Sequence, residues 1–216
     1  MSRGETGYRS LLNLGLVPSI PGAVIDHWSE VIEWLDDLVE DQQGISTLVL
    51  DALDGFEFLA HEYVVNTSFE GNWGKADKTG FAAYGKGYDA AVPELERMTN
   101  RLEKIHERGV AIVILGHVRI RNHTDPLYGQ YDRYETDVHW KSWGVFHRWA
   151  DHVLFGAFTT TTRGGHDDKR KETGRSLFTS KRDAYDAKHK GHDIPHEIEI
   201  PDDPEEMARI IQKYFW

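Results

Sequence analysis

Three short apolar runs constrain this chain most: Ser46-Thr47-Leu48-Val49-Leu50, Val110-Ala111-Ile112-Val113-Ile114-Leu115 and Val153-Leu154-Phe155-Gly156-Ala157-Phe158. Each is nearly continuous instead of alternating, and each follows a helix-like stretch. Continuous apolarity marks strands covered on both faces, as in a parallel sheet between helices. The strand–helix alternation predicts an α/β fold with a mainly parallel sheet. It is read as a single domain over residues 1–216.

The helices are legible from spacing. Between Asp26 and Glu40, Trp28, Val31, Ile32, Leu35 and Leu38 recur at three- and four-residue steps with carboxylates between them. That is an amphipathic helix, with Asp26 or Ser29 as its cap. A longer helix is predicted from about Tyr88 to Arg108, stopped by Gly109. Lys141–Trp149 is a third, aromatic on one face. Asp203-Pro204-Glu205-Glu206 sets a capping Asp, a Pro at the first helical position and Glu at the positive dipole end, and so starts a last helix. Ser176–Thr179 and Glu197–Ile200 read as short strands of a terminal β element at the sheet edge. Thr159–Lys171 reads as a mobile loop.

Composition excludes several classes. No apolar run approaches the ~20 residues that span a bilayer, and MSRGETGYRS has no signal-peptide core. Cysteine is absent, which removes disulfides, thiolate zinc sites and a Cys nucleophile and fits a cytoplasmic protein. The net charge is −11, and Leu11–Gly74 carries twelve Asp and Glu with no Lys or Arg. This stretch repels polyanions, so any DNA contact belongs to local patches in the C-terminal two thirds.

Four motifs bear chemistry. Thr47-Leu48-Val49-Leu50-Asp51 is a buried strand ending in a carboxylate, the form of a Walker B strand whose Asp holds Mg²⁺ at the C-terminal sheet edge. Equally, Asp51 is read as the cap of the following helix. Val113-Ile114-Leu115-Gly116-His117 ends a second strand in an imidazole, read as a γ-phosphate sensor or as a solvent-facing strand end. Val118–Asp137 combines Arg119, Arg121 and Arg133 with Tyr128, Tyr131 and Tyr134. Rings stack bases and guanidinium binds phosphate, as in single-strand contacts; an ordinary loop packed by its tyrosines is the other reading. Residues 163–190 hold nine basic and five acidic side chains, a phosphate-binding patch or a solvated edge loop. His189, His192 and His196 have no ligand spacing. Gly80-Phe81-Ala82-Ala83-Tyr84-Gly85-Lys86-Gly87 has the Gly–Gly–Lys spacing of a phosphate loop. It ends in Gly where the Mg²⁺-binding Ser or Thr belongs, and no strand precedes it. It is read as a loop leading into the long helix.

In this order, TLVLDALDGFE, WGKADKTGFAAYGKGYDA, VAIVILGHVRIRNHTDPLYGQYDRYETDV, WADHVLFGAF and GRSLFTSKRDAYDAKHKGHDIP resemble the RecA-like ATPases encoded by phages. That AAA-type, P-loop NTPase group of nucleotide-binding proteins includes single-strand-annealing recombinases. The resemblance implies a RecA-like core, Mg²⁺ and ATP as cofactors, single-stranded DNA as a partner and a homo-oligomer. It implies a Walker B, metal-holding role for Asp51, a sensor role for His117 and a water-activating role for Glu5. Arg119, Arg121, Tyr128 and Arg133 fall in the DNA-contacting segment. Lys188 and Lys190, with Arg175, fall where basic residues reach a neighbour's nucleotide. The departure is the missing P-loop strand and its Lys-Ser/Thr. The expectation is a truncated or split ATPase of DNA recombination or repair: a separate P-loop-bearing polypeptide completes it, or it binds ATP poorly or not at all. Two other readings are a catalytically inactive DNA-binding or assembly module of the same fold, and a metal-dependent nuclease built on Asp51, Asp54 and Glu57.

Overall fold

The structure, a computed structural model, describes residues 1–2, 6–74, 78–127, 129–163 and 170–215, with 160–163 and 170–173 described through their backbone. It divides into two compact units, Met1–Val118 with Thr136–Trp149, and Arg119–Glu135 with Ala150–Trp216.

The first unit has five helices and one parallel strand pair. They are α1 (Gly7–Asn13), α2 (Trp28–Glu40), β1 (Thr47–Leu50), α3 (Leu53–Ser68), α4 (Lys86–His106), β2 (Ala111–Ile114) and α5 (Trp140–Trp149). The predicted apolar stripe of α2 is its buried face: Trp28, Val31, Ile32, Leu35 and Leu38. Its start is closed differently from expectation. Glu30 turns back to accept the N–H groups of Asp26 and His27 at 3.1 and 3.2 Å, and His27 is the N-cap. An acid at the third helical position satisfies two orphan donors, so neither Asp26 nor Ser29 is needed as the cap. α4 buries Leu95, Met98, Leu102 and Ile105 and packs against α2, α3 and α5. Gly109, just beyond α4, has φ +91°, the left-handed position that glycine adopts without a Cβ penalty.

β1 and β2 pair in parallel, with Thr47 opposite Ala111 and Leu50 opposite Ile114. Leu48 and Leu50 are buried, while Val49 is 44% and Leu115 46% exposed. All four residues of β2 are half-buried. The pair is therefore covered on the Leu48–Leu50 face only. Among the described residues, no strand pairs with the outer edge of β2.

The second unit is antiparallel. β3 (Val118–Asp125) and β4 (Gly129–Thr136) form a hairpin. β5 (Phe155–Arg163), β6 (Arg170–Phe178) and β7 (Glu197–Ile200) form a sheet in that order. Its core stacks Phe155 on Tyr185, ring centroids 4.6 Å apart, with Phe178 5.0 Å from Tyr185. α6 (Pro204–Phe215) starts as predicted, with Asp203 accepting the Glu206 N–H at 2.8 Å.

Three expectations change. The mainly parallel sheet is one parallel pair, β1 with β2, in a mixed α/β chain of small sheets. The apolar run at 153–158 instead enters an antiparallel hairpin, Phe155 opposite Phe178. The mobile loop over Thr159–Lys171 is strand at 159–163 and 170–171, whose β-branched threonines suit a pleated surface; 164–169 lie outside the described residues.

Candidate functional site

Parallel pairing decides where the motif residues emerge. Because Leu50 faces Ile114, Asp51 and the Leu115-Gly116-His117 segment leave the pair at the same end. The Leu115 N–H donates to the Leu50 carbonyl at 2.9 Å, and the Leu53 N–H donates to the Leu115 carbonyl at 2.8 Å. The first residue of α3 is thus stitched to the end of β2.

Asp51 is half-buried at this junction. Its carbonyl accepts the Ser2 N–H at 2.7 Å, and the Ser2 hydroxyl accepts the Ala52 N–H at 3.2 Å. The N-cap of α3 is Ala52, with no side-chain cap, so the helix-capping reading of Asp51 does not hold. Among the described residues no side chain hydrogen-bonds or ion-pairs with the Asp51 carboxylate; the Met1 ammonium acts on it electrostatically. Asp51 leaves β1 as an uncommitted anion.

His117 does not face Asp51 alone. Its Nδ1 lies 2.9 Å from Asp54 Oδ1 in the first turn of α3, with the imidazole more than half exposed. Sequence reasoning missed this pair, because it depends on the Leu53–Leu115 bond. Glu57, one turn further along, points inward. Its Oε1 accepts the His139 N–H at 2.8 Å and lies 3.8 Å from His61 Nε2. The nuclease trio Asp51, Asp54 and Glu57 is not brought together, and no cluster of three metal-ligating side chains occurs among the described residues.

The expected DNA-contacting loop is the β3–β4 hairpin. Alternate residues of a strand share a face, so Arg119, Arg121 and His123 lie together on β3, and Tyr131, Arg133 and Glu135 on β4. Two contacts join these rows: His123 and Tyr131 rings 5.4 Å apart, and Arg121 Nε 3.7 Å from Glu135 Oε2. Three of the four candidate DNA residues therefore share one face, with three arginines against one glutamate. Tyr128, like Glu5, lies outside the described residues.

The other basic candidates are engaged locally. Arg175, on β6, ion-pairs with Asp202 and donates to the Pro201 carbonyl at 3.3 Å. Lys190 ion-pairs with Asp151, and the Lys188 backbone bridges to Val153. Asp202 is almost wholly exposed, and pairs of that kind hold side chains only weakly.

The segment Gly80–Gly87 is a turn into α4 and not a phosphate cradle. A Cβ on Gly87 would lie 2.2 Å from two ring carbons of buried Phe81 and 2.6 Å from its carbonyl oxygen. Gly85, the N-cap, sits at φ +75°. Its glycines serve close packing and a left-handed cap, and the Lys86 ammonium lies 5.7 Å from the Tyr84 ring centroid.

A family model described as an AAA domain matches residues 14–190, from before α2 through the Lys188–Lys190 segment. The chain belongs to the AAA-domain family. Comparison with curated proteins gave no match, and comparison with solved structures gave none. Membership places the chain among AAA-type, P-loop NTPase-like proteins and points to a nucleotide-binding, ATPase-like function. Such domains in general use a nucleotide and usually Mg²⁺. For Mg²⁺, this AAA domain offers the free carboxylate of Asp51. For the triphosphate, the nearest spacing match is the packed Gly80–Gly87 turn. The described residues therefore fit the metal side of such a site and, on their own, do not fit ATP. No helix of the described residues is long and apolar enough to cross a membrane.

Proposed function

We propose that this AAA domain is the Walker B part of a RecA-like ATPase of phage type, coupling ATP hydrolysis to single-stranded DNA binding in recombination or repair. The observation that carries the reading is the uncommitted carboxylate of Asp51 at the end of a parallel pair whose β2 edge is open. An open central edge leaves backbone donors and acceptors unpaired. A strand and phosphate loop from outside residues 1–216, on a separate P-loop-bearing polypeptide, complete it there. Asp51 then supplies the metal-side anion, and Asp54 orients the imidazole of His117 beside it. Arg119, Arg121 and Arg133 on the hairpin face meet DNA phosphates, with Tyr128 at the turn. Glu5 activates water, and Arg175, Lys188 and Lys190 serve a neighbouring copy's nucleotide in a homo-oligomer. The setting is the cytoplasm.

The test is titration with a fluorescent ATP analogue, with and without Mg²⁺, for the wild type and Asp51→Ala. Weak, Mg²⁺-dependent binding that Asp51→Ala abolishes is expected. Binding that ignores Mg²⁺, or that survives the substitution, overturns the assignment. A second reading rests on the Gly80–Gly87 packing: an inactive DNA-binding or assembly module of the same fold. Oligonucleotide binding without any saturable ATP binding up to several millimolar selects it.

A further inference from the structure

A cleft of about 410 Å³ opens on the first unit where the turn before α4 meets the start of α5. Its volume falls in the range of small-ligand sites, roughly 300–1,000 Å³. Tyr84, Tyr88, His139, Trp140 and Lys141 line it. Neither Asp51 nor the hairpin contributes to it.

Two of its rings stand in water, Tyr84 at 72% and Trp140 at 69% exposure. Tyr84 also sits at φ +53°, a conformation that aromatic residues rarely take and that marks a functional position more often than chance. Behind them Tyr88 and His139 stack in parallel, centroids 3.8 Å apart and planes 5° from coplanar. A cation lies near each exposed ring: Lys86 Nζ is 5.7 Å from the Tyr84 centroid, and Lys141 Nζ is 5.3 Å from that of Trp140.

The polar groups define the ligand. The His139 Nδ1 accepts the Lys141 N–H at 3.3 Å, which assigns the ring proton to Nε2. Burial, and then the Lys141 charge, hold its pKa below the ordinary value; the ring is neutral near pH 7 and offers one donor. Lys141 is paired with Asp89, and among the described residues Lys86 has no ion-pair partner. Ammonium groups beside both rings repel a cationic ligand and attract an anionic one. Stacking surfaces with cations alongside fit a flat ring that carries a negative group.

We propose that this cleft binds a nucleotide unit, its base stacked on Trp140 and Tyr84 and its phosphate facing Lys86 and Lys141. The unit comes from single-stranded nucleic acid or from a free mononucleotide. Both present the same base and phosphate, and the experiment separates them.

Binding of a labelled oligo(dT) by anisotropy and of AMP by calorimetry is measured without Mg²⁺, so Asp51 plays no part. The protein carries Arg119→Ala and Arg121→Ala, so the hairpin plays little. In that background Trp140→Ala is expected to weaken binding about 5- to 100-fold, from ~1–3 kcal/mol per stacked base. Trp140→Phe retains most of the affinity, and Lys86→Ala flattens the salt dependence. Loss confined to oligo(dT) identifies a strand site, and loss confined to AMP a mononucleotide site. Because Trp140 is exposed, the thermal melt of the variants is expected to match their parent. Equal affinity of Trp140→Ala and its parent for both probes, or no binding of either probe, overturns the proposal. So does a proline-rich peptide that saturates the cleft where neither probe does.

Discussion

Lowering the pH tests the interior of the first unit through one side chain. His61 is buried on α3 between Phe81 and Tyr88, whose ring centroids are 5.1 and 5.4 Å away. Its Nε2 has no hydrogen-bond partner and lies 3.8 Å from Glu57 Oε1, too far for a bond. Burial, reinforced by His139, pushes its pKa from 6.5 down to about 4. Above pH 6.5 the ring is neutral in both folded and unfolded chains and contributes no pH dependence. Below pH 6.5 the unfolded chain binds the proton and the folded one does not, so stability falls with pH until about 4. At ~1.4 kcal/mol per pH unit, the loss totals about 3 kcal/mol. Urea unfolding of the wild type and His61→Phe between pH 7.5 and 4.5 measures it. The wild type is expected to lose about 2–3 kcal/mol more than the variant over that range. Parallel curves would refute the reasoning, for they would mean that Glu57 closes on the ring and holds its proton in the fold.

Gly87→Ala forces a methyl group into the Phe81 ring and carbonyl. It is expected to cost about 1–3 kcal/mol, read as a lowered Tm by circular dichroism; an unchanged Tm contradicts the packing role given to the glycine. On the hairpin, Arg119→Ala with Arg121→Ala is expected to weaken oligo(dT) binding and reduce its log–log salt slope by about 1.4, at ~0.7 per phosphate contact on a single strand. An unaltered slope removes those arginines from the DNA face.

Periodicity located most elements, because burial follows it directly. The stripe Trp28–Leu38 and the Asp203-Pro204 start behave as their residues dictate. Strand direction was not legible. Val153–Phe158 and Val110–Leu115 are equally continuous, yet one enters an antiparallel hairpin and the other a parallel pair. Pairing depends on which strand follows, and composition does not carry that. The hairpin at Val118–Thr136 looked like a loop because both of its faces are polar, so the alternation that marks a half-buried strand is absent. At the candidate site, the apolar runs ending in Asp51 and His117 marked the strand tips correctly. The Asp54–His117 pair was hidden, since it needs α3 to begin against Leu115. The Gly–Gly–Lys spacing misled in the other direction: its glycines answer to Phe81 and a left-handed cap, and the rings around them line a cleft that no motif announces.

The parallel ladder between Thr47–Leu50 and Ala111–Ile114 also sets a timetable for synthesis. A hairpin can close as soon as its second arm leaves the ribosome, but this ladder must wait for roughly 60 further residues, several seconds at ~5–20 residues per second. During that interval the nascent Leu48-Val49-Leu50 segment has α2 and α3 for company and no strand beside it. Its backbone stays hydrated until translation delivers the Ile112-Val113-Ile114 stretch.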